Sequence, residues 1–302
     1  MKEQKYIIKK GDSFEAKHIF ECGQCFRWNV ETDGSYTGIV NNSVINVKHE
    51  KDNIIFTGIS DKNLKDICDE YFDLNTNYEN IKENLSTVDD NLKLSINYGN
   101  GIRILKQDLW ETLISFIISA NNNIPRIKGI IERISKKYGN EMIWKDRKFY
   151  TFPSVQQLSV ASIEDLRALG TGFRDKYIYK TTQMVLKKEV KLEDLKKEND
   201  IEKIRKELSK FPGVGDKVAD CIMLFALKKF EVFPVDVWVR RVMNELYIKE
   251  EDEKKVNKEQ IRELARREIC KSCWNRSAIF ILLETRSIKS LMNYIHQTFY
   301  AY

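Results

Sequence analysis

An α+β fold is predicted: a β-rich N-terminal domain over 1–98 with an antiparallel sheet, followed by a mostly α-helical domain over 99–302. Three observations predict it. Short alternating apolar runs broken by hairpin signals fill 26–57. Helical periodicity begins near Tyr98 and persists. A glycine turn, Phe211-Pro212-Gly213-Val214-Gly215, joins two stretches of helical period. A chain of 302 residues buries a sizeable core and suits two domains.

In the first domain, 26–30, 35–40, 43–47 and 53–57 alternate as strands do, and Asp33-Gly34 and Asn41-Asn42 are hairpin signals between them. One helix is expected over 61–73. In the second, Trp110, Leu113, Ile114 and Ile117 mark an apolar helix over 109–120, read as core. A polar loop, Asn121-Asn122-Asn123-Ile124-Pro125-Arg126, opens another helix over 127–138. Asparagine runs of this kind are ordinary loop chemistry. The charged run 187–206 reads as a solvated helix face.

Ile204 and Leu208 place one helix before the glycine turn, and Val218, Ile222 and Phe225 place another after it. A helix that opens directly after glycines points unpaired N–H groups and partial positive charge outward, which suits a phosphate. The backbone of Gly213, Val214 and Gly215 is therefore a candidate anchor for a nucleic-acid strand. Lys217 falls in the first turn of the second helix, where a cation is electrostatically disfavoured, and a lysine that is also partly desolvated there is a usable amine nucleophile. Pro234-Val235-Asp236 reads as a helix start with Asp236 at or near the N-cap, returning a carboxylate towards the same cleft. Each part also has a plain reading: a turn, a solvated lysine, a cap.

Composition narrows the function classes. Lys and Arg number 51 against 45 Asp and Glu, a net charge of +6 that permits nucleic-acid binding without requiring it. No apolar run is long enough to span a bilayer, and the charged start MKEQKYIIKK lacks the apolar region of a signal peptide. An intracellular, cytoplasmic protein with no membrane partner is expected. Six cysteines include two C-x-x-C pairs, Cys22/Cys25 and Cys270/Cys273. They are too far apart for a zinc ribbon, so no metal is expected.

Taken together, the segment F-P-G-V-G-D-K-V-A-D-C followed by P-V-D-V over 211–237 resembles the helix-hairpin-helix DNA glycosylases with a catalytic lysine, and within them the 8-oxoguanine DNA glycosylases. The resemblance implies damaged double-stranded DNA as partner, a monomeric enzyme without cofactor, Lys217 as nucleophile and Asp236 as the carboxylate that stabilises developing positive charge. Cys221, one turn beyond Lys217, matches a family cysteine against the base. The segment Gly23-Gln24-Cys25-Phe26-Arg27-Trp28 resembles the family's G-Q-x-F-R-W, which implies that the Gly23 carbonyl accepts from the N7–H that oxidised guanine has and guanine lacks; the plain alternative is that Gly23 only starts a strand. The asparagine loop resembles the family's N-N-N-I-x-R-I, which implies that Asn121 enters the gap left by the flipped base and that Arg126 reads the opposite cytosine. Leu169-Gly170-Thr171-Gly172-Phe173-Arg174 resembles L-G-x-G-Y-R, with Arg174 at a second cytosine reader and Phe173 in place of a tyrosine wedge. Trp238 replaces a histidine of some relatives.

The closely spaced cysteines that hold an iron–sulfur cluster in adenine and thymine-glycol glycosylases do not follow this core before Cys270. Two other classes stay open: a glycosylase for alkylated purines, which shares the hairpin and aspartate but usually works without the lysine, and a helix-hairpin-helix module that binds DNA without cutting it. The resemblance covers 20–268 and then stops. Where the family continues A-G-x-A-Q-Q-Y-L-F, this chain reads Ser277-Ala278-Ile279-Phe280-Ile281-Leu282-Leu283-Glu284. One choice of codons for these residues (TCA GCA ATA TTT ATT TTA CTG GAA), read one nucleotide later, encodes Gln-Gln-Tyr-Leu-Phe-Tyr-Trp. The tail from about 269 is therefore expected to be a frame-shifted substitute for the native C-terminus.

Overall fold

The computed structural model describes residues 1–11, 13–250 and 255–265. The atypical tail, with Cys270, Cys273 and the segment 277–284, lies outside the described residues. In chain order the elements are β1 (Lys2–Lys9), α1 (Ala16–Glu21), β2 (Trp28–Val30), β3 (Tyr36–Val40), β4 (Ser43–Glu50), β5 (Asn53–Ser60), α2 (Leu64–Tyr71), α3 (Tyr78–Ser86), α4 (Asp90–Tyr98), α5 (Leu109–Ser119) and α6 (Ile124–Tyr138). They continue as β6 (Glu141–Trp144), β7 (Arg147–Tyr150), α7 (Val155–Leu158), α8 (Ile163–Ala168), a 3-10 turn (Gly172–Arg174), α9 (Asp175–Leu186), α10 (Leu192–Lys197), α11 (Ile201–Leu208), α12 (Asp216–Leu227), α13 (Val237–Met243), a π turn (Asn244–Ile248) and α14 (Lys258–Leu264). Two compact units interleave along the chain: Met1–Lys10, Cys25–Asn75 and Leu105–Lys228 make the first, and Gly11–Gln24, Thr76–Ile104 and the chain from Lys229 make the second.

The first unit holds an antiparallel five-stranded sheet in the order β1-β5-β4-β3-β2. Asn41 and Asn42 turn the β3–β4 hairpin with φ of 45° and 63°, the left-handed pair that this two-residue hairpin needs and asparagine tolerates. Trp28 lies flat on Gly38, whose β-carbon would fall 2.3 Å from the indole, so only glycine fits there. The indole N–H donates to the Tyr71 hydroxyl at 2.9 Å, which ties the sheet to α2. Among the strands, β1 and the β6–β7 hairpin differ from the sequence reading. β1 was not anticipated because KEQKYIIK is an edge strand with mostly exposed, charged residues and little apolar signal. The helical half is interrupted by the β6–β7 hairpin, whose turn places Lys145 and Asp146 in left-handed conformations without the usual Asn-Gly signal.

The helical part of the first unit is built on α5, with nine of eleven residues buried. Phe116 of α5 stacks on Phe225 of α12 at 5.7 Å and meets Phe26 edge-on at 5.6 Å. α12 is thereby laid along α5, which fixes where its N-terminus emerges. The second unit contains helices α1, α3 and α4 inside the stretch read from sequence as β-rich, together with α13 and α14. Arg103 stitches it: the guanidinium lies 4.1 Å over the Tyr78 ring and donates to the carbonyls of Ser13 and Thr76.

Candidate functional site

The glycine turn is a helix-hairpin-helix. α11 ends at Leu208, Phe211 and Val214 point inward at 1 % and 5 % exposure, and α12 starts from Gly215 at its N-cap. Gly213 has φ +83°, and a β-carbon there would sit 2.7 Å from the Tyr177 ring, so the ring and the turn require glycine together. Gly213 and Gly215 are exposed, and no side chain caps the first N–H groups of α12. Those donors and the helix dipole are available to an anion. The two helices are held at the hairpin by an ion pair between Arg205 and Asp220, the latter fully buried. Sequence reasoning missed Asp220; the signal was a lone carboxylate inside the apolar run of α12.

Lys217 is half-buried on the first turn of α12, with Nζ 5.6 Å from the centre of the Phe116 ring. Within its unit no carboxylate reaches ion-pairing distance of the amine. Cys221 follows one turn later at 4 % exposure and forms no disulfide. Asp236, in the second unit, is the N-cap of α13: its Oδ1 accepts from the Val239 N–H at 2.9 Å.

Gly23 is buried in the turn after α1 at φ +85°, a conformation that other residues adopt only with strain. Its neighbour Gln24 is fully buried and donates to the carbonyls of Ile19 at 3.0 Å and Arg103 at 2.9 Å. Gln24 thus fixes the peptide that presents Gly23. Gln24 belongs to the G-Q-x-F-R-W segment, but its two carbonyl partners are not legible there.

The three asparagines divide their work. Asn122 donates to the Ile118 carbonyl at the end of α5, and Asn123 caps α6 by accepting from the Arg126 N–H at 3.0 Å. Asn121 is left exposed, left-handed at φ 49°. Arg126 is exposed and reaches the Gly170 carbonyl at 3.4 Å. Phe173 stands 57 % exposed, edge-on to Tyr177 at 6.1 Å. Tyr177 therefore backs both Phe173 and the hairpin glycine. Arg174, expected beside Arg126 as a reader, is 2 % exposed, and its guanidinium is turned onto the carbonyls of Ala120, Asn121 and Thr171. Burial and, to a lesser degree, the charge of Arg126 lower its pKa.

The first unit brings together the hairpin amides, Lys217, Cys221, Asn121, Arg126, Phe173 and Arg174; Gly23 and Asp236 belong to the second. No helix among the described residues is long and apolar enough to cross a membrane.

Comparison with known proteins gives two family matches. The family described as 8-oxoguanine DNA glycosylase, N-terminal domain, matches residues 6–113, and the HhH-GPD superfamily of base excision DNA repair proteins matches residues 114–267. An N-glycosylase/DNA lyase of Saccharomyces cerevisiae is 31 % identical over 254 residues, covering 76 % of this chain and 67 % of its own length. A probable N-glycosylase/DNA lyase of Methanothermobacter thermautotrophicus is 33 % identical over 213 residues, 64 % of this chain and 67 % of its own. The solved 8-oxoguanine glycosylase/lyase of Clostridium acetobutylicum, in complex with duplex DNA carrying cytosine opposite 8-oxoguanine, superposes with a TM-score of 0.84 at 39 % identity, over 94 % of this chain and 98 % of that one.

Proposed function

The chain belongs to the 8-oxoguanine DNA glycosylase family within the helix-hairpin-helix superfamily of base excision repair proteins, and from that premise we propose that it excises 8-oxoguanine from duplex DNA through Lys217 and then nicks the strand. The observation that carries this reading is the position of Lys217: its amine stands on the first turn of the helix that opens from the hairpin, against an aromatic face rather than a carboxylate of its unit. A base inside a duplex is out of reach, so the damaged nucleotide is extruded at a cost of a few kcal/mol of unstacking. The hairpin amides hold the strand by a phosphate, and Asn121 occupies the gap.

The neutral Lys217 amine attacks C1′, the bond from C1′ to N9 breaks, and the base leaves with that electron pair. Loss of the lysine N–H proton and opening of the sugar give an imine. Removal of a C2′ proton then expels the 3′ phosphate by β-elimination. Asp236 stabilises positive charge on the sugar during departure of the base. The Gly23 carbonyl selects the lesion: it accepts from N7–H of 8-oxoguanine, whereas guanine presents an acceptor there and leaves both groups unpaired at about 1–3 kcal/mol. Cys221 packs on the base, Arg126 and Arg174 lie on the side of the opposite cytosine, and Phe173 wedges the duplex. The enzyme works as an intracellular monomer, and its chain divides into domains at 1–98 and 99–302.

The test uses duplexes with 8-oxoguanine opposite each of the four bases. Excision and nicking by the wild type, and neither by Lys217→Gln, are expected. Salt-dependent binding without nicking would instead favour a DNA-binding module.

A further inference from the structure

α8 is held to α6 by polar groups more than by apolar area: of its six residues only Leu166 is buried. At its start, Lys137 of α6 donates at 2.6 Å to Asp165, the carboxylate that closes the capping box with Ser162. At its end, Nε of Arg133 donates to the Leu169 carbonyl at 2.8 Å, and Arg126 reaches the next carbonyl, that of Gly170, at 3.4 Å. Arg126, Arg133 and Lys137 recur at helical spacing and share one face of α6. The Arg133 guanidinium lies in a slot between two glycines. A β-carbon at Gly129, one turn earlier on α6, would stand 3.1 Å from Nη1, and one at Gly170 would stand 2.8 Å from Nη2. Gly170 requires glycine for its backbone as well, at φ +87°. Gly129 does not: it lies inside a 15-residue helix, where glycine is the weakest former after proline, and the atoms that an added β-carbon would crowd belong to Arg133. A seat for the guanidinium accounts for it.

Resting on the proposed function, we infer that Arg133, seated on Gly129, is a positioning residue that pins the loop after α8 to α6 and so fixes the direction from which Phe173 enters the duplex. The loop carries two left-handed glycines, Gly170 and Gly172 at φ +61°, and each is a point at which the chain can swing. Phe173 follows directly and stands exposed. A cation at the carbonyl end of α8 also suits the helix dipole. With Leu169 held by its carbonyl, the wedge is ordered before DNA arrives, and less lost freedom opposes its insertion.

Amide exchange and single-turnover excision are measured for wild type, Arg133→Gln, Gly129→Leu, Phe173→Ala and the double variant of Arg133→Gln with Phe173→Ala. In the unliganded protein the Gly170 and Arg174 amides, bonded to the carbonyls of Arg167 and Thr171, should exchange about tenfold faster in Arg133→Gln and in Gly129→Leu, whose side chain fills the seat. Excision of 8-oxoguanine opposite cytosine should slow about tenfold in both, the scale of one charge-assisted hydrogen bond lost. In the Phe173→Ala background, removing Arg133 should slow excision by less than about twofold more, because the pinned loop then has no wedge to present. Leucine is a better helix former than glycine, so Gly129→Leu should keep or raise Tm while excision falls. A lowered Tm alongside slow excision in Gly129→Leu marks a general structural role and overturns the inference, as do losses that simply add to those of Phe173→Ala. Slow excision in Arg133→Gln alone, with the salt slope of binding reduced by about one, assigns Arg133 to a phosphate and overturns it too. Unchanged exchange in Arg133→Gln refutes the pin, and in Gly129→Leu its seat, whatever the activity. If the wild type excises from no duplex, the proposed function fails, and exchange at Gly170 and Arg174 still decides whether Arg133 pins the loop.

Discussion

Replacing Gly213 by alanine should destabilise the first unit and weaken DNA binding, while the same change at Gly215 should leave stability unaltered. At Gly213 the backbone is at φ +83°, and the new methyl would stand 2.7 Å from Cδ2 of Tyr177. The backbone term is about 1–2 kcal/mol for an ordinary residue in the left-handed region. The contact adds to it, because Tyr177 must shift from the edge of Phe173 or the turn must open; overpacking of this kind costs about 1–3 kcal/mol. A total of about 2–5 kcal/mol corresponds to a fall in Tm of about 5–15 °C for a unit of this size. At Gly215 nothing lies within 4 Å of the added methyl and φ is −92°, so the change should stay within about 0.5 kcal/mol. Differential scanning calorimetry of the two variants, with salt titrations of binding to an abasic duplex, makes the comparison. Equal Tm for both variants, or a larger loss at Gly215, would refute the claim that the ring of Tyr177 and the hairpin turn dictate each other.

Other outcomes follow from the same geometry. Asp220→Ala leaves the Arg205 guanidinium, only 14 % exposed, without its buried partner; denaturant unfolding should show a loss of about 3–5 kcal/mol, and a loss under about 1 kcal/mol would show that the pair does not hold the hairpin. Burial raises the Glu111 carboxyl from 4.5 to about 7, only partly opposed by Arg27. A carboxyl raised on folding costs stability as pH climbs from the unfolded value through the folded one, so the contribution of Glu111 falls between pH 4.5 and about 7 and is level above. Glu111→Gln should therefore match the wild type near pH 4 and exceed it by about 2 kcal/mol at pH 8, allowing for the 24 % of the side chain that water reaches; parallel pH profiles would contradict this. Sequencing the gene across codons 268–272 should reveal a frame in which Gln-Gln-Tyr-Leu-Phe follows, and restoring that frame should raise excision; if no frame encodes that motif, the idea of a substituted tail fails.

Much of the fold was legible because its signals are local. The Asn41-Asn42 turn, the helices on either side of Gly213 and the cap at Asp236 each depend on a few adjacent residues, and all appear where the sequence places them. β1 was hidden by its charged edge, and the β6–β7 hairpin by a turn that begins on Lys145, a residue with no preference for left-handed backbone, and has no glycine after Asp146. Helices α3 and α4 escaped notice behind the strand pattern that precedes them. In the site, Lys217, the asparagine loop, Gln24 and Arg174 could all be read by motif, but the partners of these side chains could not. Phe116 looks like any core residue until its ring is found under the Lys217 amine, and Gln24 and Arg174 act on carbonyls 79 and 54 positions away in sequence. Partnerships across such separations are set by packing, which no short window contains.

As the nucleophile, Lys217 must become covalently joined to C1′ during the reaction. Sodium borohydride reduces an imine to a stable amine, so adding it during reaction with a duplex carrying 8-oxoguanine opposite cytosine captures the enzyme on the strand through whichever amine formed the bond. A covalent protein–DNA species is expected in the wild type, with the adduct mapped by mass spectrometry to Lys217, and none in Lys217→Gln. A trapped species of equal yield in Lys217→Gln, or excision by the wild type with no trapped species, would contradict it.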